Sequence, residues 1–226
     1  MRTAVLVLMP GLVAPCAFAQ GGDEAGRLLL RVGAQGGVAD ERETDATRFG
    51  GYQAAVGWYF RPDLNAYGEI RHGFSRQPYL GLGEGERELG EQRIHALAAI
   101  DWRFAPDLWE IFALHLYGGP RFLIVRNDAY RPWMGTVFVG GRVDALLHAG
   151  LVADAHGGGG YALFGSDDDT SALGDFKTTW LWGAGLALRF APWYRLRIGY
   201  LGENWVLEHT DRVQHGAELT VQARWF

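Results

Sequence analysis

Three turns written in nearly the same letters divide this chain: Phe60-Arg61-Pro62-Asp63-Leu64, Phe104-Ala105-Pro106-Asp107-Leu108 and Phe190-Ala191-Pro192-Trp193-Tyr194. The second interval is about twice the first. A fourth turn is therefore expected near residue 147, where Leu146-Leu147-His148-Ala149-Gly150 sets small residues between apolar runs. Self-similarity at a fixed period marks a repeated supersecondary unit. Proline cannot donate to a strand ladder and holds the preceding residue extended, so each Phe-x-Pro is expected to close a strand. Between these turns lie longer, more polar stretches at 39–47, 76–91, 126–131, 166–175 and 208–212, which read as loops. Short and long connections thus alternate, as they do in a transmembrane β-barrel.

The segments between connections alternate in polarity with a period of two, the strand signal. Tyr52, Ala54, Val56, Trp58 and Phe60 share one face, against Gln53, Ala55, Gly57 and Tyr59. Ile94, Ala96, Ala98, Ile100, Trp102 and Phe104 oppose Arg93, His95, Ala99, Asp101 and Arg103. Ten strands are expected, at 27–37, 48–60, 65–75, 92–104, 111–125, 133–147, 150–164, 177–190, 195–207 and 213–226. The fold class is all-β: an antiparallel, up-and-down transmembrane barrel, its even strand number putting both termini on the short-turn side. Aromatic residues gather where strands meet connections, as in the two girdles of a membrane barrel. Trp58, Phe60, Trp102, Phe104, Trp109, Phe190, Trp193 and Trp225 are expected in the inner girdle. Phe74, Phe122, Tyr130, Trp133, Phe164, Trp180 and Trp205 are expected in the outer one. A soluble barrel would turn its apolar face inward and its charges outward, and needs no aromatic belts.

The N-terminus reads as a cleaved signal peptide over residues 1–19, with the barrel occupying 20–226. Arg2 supplies the positive start, Ala4 to Val13 the apolar stretch, and Ala17-Phe18-Ala19 the small-x-small cleavage site. Cleavage there removes Cys16, the only cysteine, so no disulfide or thiolate chemistry is expected in the mature chain. The net charge of −5 gives no footing for a nucleic-acid partner.

The last strand, Leu219-Thr220-Val221-Gln222-Ala223-Arg224-Trp225-Phe226, resembles the C-terminal strand of bacterial outer-membrane proteins, which ends in Phe and is read by the barrel-assembly machinery. It departs from that pattern at Arg224, where an aromatic is common. The resemblance implies a Gram-negative outer-membrane location, with outer-membrane lipid, lipopolysaccharide and the assembly machinery as partners.

Charges facing lipid at the midplane each cost about 2–4 kcal/mol, so the charged residues of these strands must face the lumen. That face carries Glu69, Arg71, Arg93, His95, Asp101, Arg103, His115, Arg121, Arg142, Asp144, Asp154, His156, Arg189 and Arg197. Folding each hairpin about its turn sets Asp144 opposite Asp154 and Arg142 opposite His156. The same folding brings Asp101 and His115 alongside, with Arg189 diagonal to Asp154. Paired, these charges form a plug, and the role is then structural, adhesive or assembly-related, or that of a narrow, porin-like channel. Asp154-Ala155-His156 with Asp144 as a second carboxylate could instead activate water. This arrangement resembles the omptins, ten-stranded outer-membrane proteases with an Asp-x-His and an Asp pair. The resemblance implies a hydrolase with Asp144, Asp154 and His156 as catalytic residues, although here the tripeptide follows a short turn, whereas omptin catalysis sits at the extracellular rim. No cofactor is expected, and the seven His residues show no spacing for a structural metal. Gly157–Gly160 precedes no helix, so it reads as a wall segment that can bend or lie beneath a ring, not as a phosphate loop. The acidic stretches 167–169 and 84–91 are expected to be solvated outer loops.

Overall fold

The structure, a computed structural model, describes residues 27–41, 44–81, 84–108, 111–126, 133–148, 150–165, 176–191, 193–207 and 211–225. These form ten strands: β1 Leu28–Glu41, β2 Thr44–Arg61, β3 Leu64–Gly81, β4 Glu84–Leu108, β5 Phe112–Arg126, β6 Trp133–His148, β7 Leu151–Gly165, β8 Phe176–Ala191, β9 Tyr194–Leu207 and β10 Asp211–Trp225. Each strand pairs antiparallel with its chain neighbours, and β1 closes onto β10. Closure removes every free sheet edge, the condition for a sheet to cross lipid. The expected signal peptide, Trp109, Tyr130, Phe226 and the stretches 127–132 and 166–175 lie outside the described residues.

The chain turns sharply where the repeat requires it. Pro62 and Asp63 join β2 to β3, and Arg61 donates two hydrogen bonds to Asp63, at 3.0 and 2.7 Å. That contact holds the Asp63 carboxyl below its ordinary pKa. At the fourth turn Gly150 has φ of +80°, a conformation that costs glycine nothing. The second copy departs from expectation. β4 runs on past Pro106 to Leu108, its register shifting after Arg103 and again after Ala105, so the proline sits in an irregular ladder and does not end the strand.

The far end also differs from the sequence reading. Residues 76–81 and 84–91 are paired strand and not loop, because β3 and β4 stay paired out to Gly81 and Glu84. β1 and β2 likewise reach Glu41 and Thr44, and β10 starts at Asp211. An antiparallel ladder needs only backbone hydrogen bonds. The ladder therefore continues where the apolar alternation that announces it disappears.

The outer wall is apolar. Val56, Ile70, Ile100, Val139 and Ile198 are half or more exposed around the middle of the barrel. Trp58, Phe60, Trp102, Phe104, Phe190, Trp193 and Trp225 are exposed at the turn end, and Phe74, Phe122, Trp133, Phe164 and Trp180 toward the loop end. Trp205 is the exception: it points inward and is 0% exposed, so it belongs to the lumen and not to the outer girdle. The glycine run in β7 lies beneath rings on both sides. A Cβ on Gly158 would meet Phe138 at 2.7 Å inside the barrel, and one on Gly159 would meet Trp180 at 2.7 Å outside.

Candidate functional site: the lumen

Ten strands leave a lumen just wide enough for side chains to meet across it. Here they meet as ion pairs in three tiers. Nearest the turn end, β4, β5 and β6 bring Asp101, His115, Arg142 and Asp144 together. His115 Nδ1 lies 3.0 Å from Asp101, and Arg142 lies 3.5 Å from Asp101 and 3.1 Å from Asp144. Beside them, Arg197 on β9 donates to both oxygens of Asp154 on β7, at 2.8 and 2.7 Å, and also pairs with Glu218 on β10. Gln53 donates to the other oxygen of Glu218 at 2.8 Å. In the middle tier Glu69 is held between Arg31 and Arg71. Arg121 pairs with Glu203 and donates to Thr179 at 3.0 Å and to His95 at 2.9 Å. In the loop-end tier Glu91 lies between Arg93 and Arg212, with Arg212 at 2.9 Å.

Apolar layers fill the space between tiers. Tyr117, Phe138, Leu181 and Leu201 pack in the middle, with Leu97 against them. Leu123, Val125, Met134 and Trp205 pack toward the loop end, where the Trp205 ring lies 4.9 Å from the Arg93 guanidinium. A cavity of about 110 Å³ lies in the turn-end half, lined by Asp144, Asp154, His156, Arg195 and Arg197 among others.

The β6–β7 register is the expected one, with Asp144 opposite Asp154 and Arg142 opposite His156. The structure brings Asp101, His115, Arg142, Asp144, Asp154 and His156 into one half of the lumen, and places Glu69 and Arg71 one tier above. Arg189 does not join them. Asp154 faces Gly185 across the β7–β8 ladder, four residues from Arg189, which sits instead at the turn-end mouth with its N–H on Gly150. The partner of Asp154 is Arg197, two strands away. Its side chain crosses β8 because Gly185 and Gly199 offer no obstacle: a Cβ on either would meet the Arg197 guanidinium at 2.8 Å. Arg31, Glu91, Glu203, Arg212 and Glu218 are further lumen charges that the sequence reading passed over. Strand parity marks Glu203 and Glu218, which share a face with Leu201 and with Thr220. Glu91 and Arg212 fall in segments read there as loops.

As chemistry, the Asp-x-His pair is not an assembled dyad. His156 Nδ1 lies 3.7 Å from Asp154, beyond hydrogen-bond reach, while Arg197 occupies both carboxylate oxygens. A carboxylate held this way stabilises charge better than it accepts a proton.

No protein-family model and no curated protein matches this sequence. Solved structures do match. The β domain of the Bordetella autotransporter BrkA superposes with a TM-score of 0.53 at 11% identity, over 90% of this chain and 100% of its own. The translocator domain of the autotransporter NalP from Neisseria meningitidis gives 0.52 at 14%, covering 89% of each chain. The fold is that of a bacterial outer-membrane β-barrel. An outer membrane channel from Pseudomonas putida F1 gives 0.50 at 11%, over 90% of this chain and 98% of its own. At such identities the likeness to these outer-membrane barrels is one of fold alone, and this barrel's lumen must be read from its own side chains.

Proposed function

We propose that this chain is exported by cleavage after Ala19 and works in the outer membrane as a closed, charge-plugged barrel. Its job is then structural or adhesive, done through its loop end, with the barrel-assembly machinery inserting it and lipid and lipopolysaccharide surrounding it. One observation carries the reading: the lumen acids named above each meet an arginine or a histidine, and apolar layers separate the tiers. A pore needs charges that line a continuous wet path; here Arg121 meets Glu203 from across the barrel. The test is a swelling assay on vesicles carrying the refolded protein, run beside fractionation of cells that express it. The expected result is outer-membrane recovery with no uptake of small sugars above empty vesicles. Uptake that rises with protein would make the barrel a narrow channel.

A hydrolase is the second reading, favoured by the shared cavity of Asp144, Asp154 and His156. Turnover of quenched peptides that disappears in both Asp154→Ala and His156→Ala would establish it, and turnover unchanged in both would remove it.

A further inference from the structure

At the turn-end mouth the β8–β9 ladder sets Arg189 directly opposite Arg195. Both stand on the lumen-facing side of their strands. Guanidinium groups are charged at any physiological pH, and like charges placed directly opposite repel. No ion pair of either residue with a carboxylate occurs among the described residues. Asp144 and Asp154 lie within electrostatic reach of Arg195. Both are already engaged, Asp144 by Arg142 and Asp154 by Arg197. Arg142 and Arg224, which also act on Arg195, carry the same sign as it does. The lumen arginines Arg31, Arg71, Arg121, Arg142 and Arg197 each sit against an acid; Arg189 and Arg195 face each other across the ladder and line one cavity.

The space around them is shaped as a site. Arg195 and Gln222 face each other across the β9–β10 ladder. They line both the cavity of about 110 Å³ and a smaller one of about 20 Å³ at the mouth, whose other walls include Arg189, Trp193 and Arg224. Arg224 is steadied by the Tyr59 ring, 5.5 Å from its guanidinium. On the outside of the same wall, Phe190 and Tyr194 stack at 5.9 Å, marking the headgroup level of the membrane.

We propose that this mouth binds an oxyanion of the phosphate type between Arg189 and Arg195, with the Gln222 amide as a neutral donor. Two planar guanidinium forks fit the several oxygens of a phosphate group, and the anion removes the repulsion that the bare pair carries. A phosphate on a soluble molecule and one on an inner-leaflet lipid headgroup present the same chemistry. The site is independent of whether the lumen conducts, because it lies at the mouth, outside the plug.

The test is calorimetric titration of inorganic phosphate into the full-length mature barrel, refolded in a phosphate-free non-ionic detergent. Binding is expected in the parent, weakened at least tenfold in Arg189→Gln and in Arg195→Gln. Denaturant unfolding supplies a second readout. Without phosphate, Arg195→Gln is expected to raise the midpoint, since it relieves a like-charge pair; phosphate then raises the parent's midpoint and not the variant's. A parent that binds no phosphate, variants that bind it as well as the parent, or a lowered midpoint for phosphate-free Arg195→Gln would each overturn the proposal. Competition with a short-chain phosphatidylglycerol separates the sources: displacement of phosphate assigns the lipid headgroup, and failure to displace it assigns a soluble phosphate.

Discussion

Replacing Arg197 with alanine probes the ion-pair plug at its best-defined point. Arg197 donates to both oxygens of Asp154, at 2.8 and 2.7 Å, and pairs with Glu218. The substitution leaves Glu218 with the Gln53 hydrogen bond and the more distant Arg71 charge, and leaves Asp154 with His156 at 3.7 Å and Arg195 within electrostatic reach. Breaking a buried pair from one side costs about 3–5 kcal/mol, because the surviving charge stays desolvated. The Arg197 side chain is 16% exposed, that of Asp154 6%, and a cavity of about 110 Å³ adjoins them, so water can reach the orphaned acid. The expected loss is therefore at or just below the low end, about 2–3 kcal/mol. Urea unfolding of the barrel in lipid vesicles, followed by tryptophan fluorescence at fixed lipid, reads it as a lower midpoint at unchanged slope. Adding Asp154→Asn should recover about 1 kcal/mol, since it removes the charge that the first substitution strands. A single variant within about 0.5 kcal/mol of the parent, the range of an ordinary surface change, would refute the reasoning. So would strictly additive losses in the pair.

Three further outcomes follow from the same picture. Gly185→Ala should cost about 1–3 kcal/mol, because its Cβ would stand 2.8 Å from both the guanidinium that crosses β8 and the Ile198 carbonyl oxygen; unfolding midpoints check it. Trp205→Ala empties a fully buried position in the loop-end layer and should cost about 3–5 kcal/mol, whereas an outer-girdle tryptophan such as Trp180 should cost much less by the same measurement. Ile70→Arg, on the outer wall midway between Trp58 and Phe74, should cost about 2–4 kcal/mol in a bilayer. In a soluble barrel so exposed a position would tolerate it.

Much of the scaffold was legible because a membrane barrel writes its rules into every strand. The two-residue alternation placed all ten strands, and folding the hairpin about a turn at 148–149 was enough to give the Asp144–Asp154 and Arg142–His156 register. Legibility failed in three physical situations. At the loop end, 76–81 and 84–91 lost their apolar face without losing their ladder, so paired strand passed for loop and Glu91 was missed as a lumen acid. Trp205 was assigned to the girdle from its position near a loop, although its parity with Glu203 and Leu201 turns it inward. The Arg197–Asp154 pair joins strands that are not neighbours, and no hairpin-by-hairpin folding can find it. Its sequence signal is indirect, the glycines at 185 and 199 that clear the path, and without that path Arg189 was the nearest candidate along the chain.

Single-channel recording in a planar bilayer tests the central claim, that the lumen charges pair into a plug, most directly. The account predicts stable insertion of the parent barrel with no conductance steps. It also predicts that Trp205→Ala combined with Arg121→Ala, Arg142→Ala and Arg197→Ala, which loosens all three tiers, begins to conduct, showing that the silence of the parent is a closed lumen in an inserted protein. Steady, salt-dependent current through the parent would contradict it, because those arginines and acids would then line an open path.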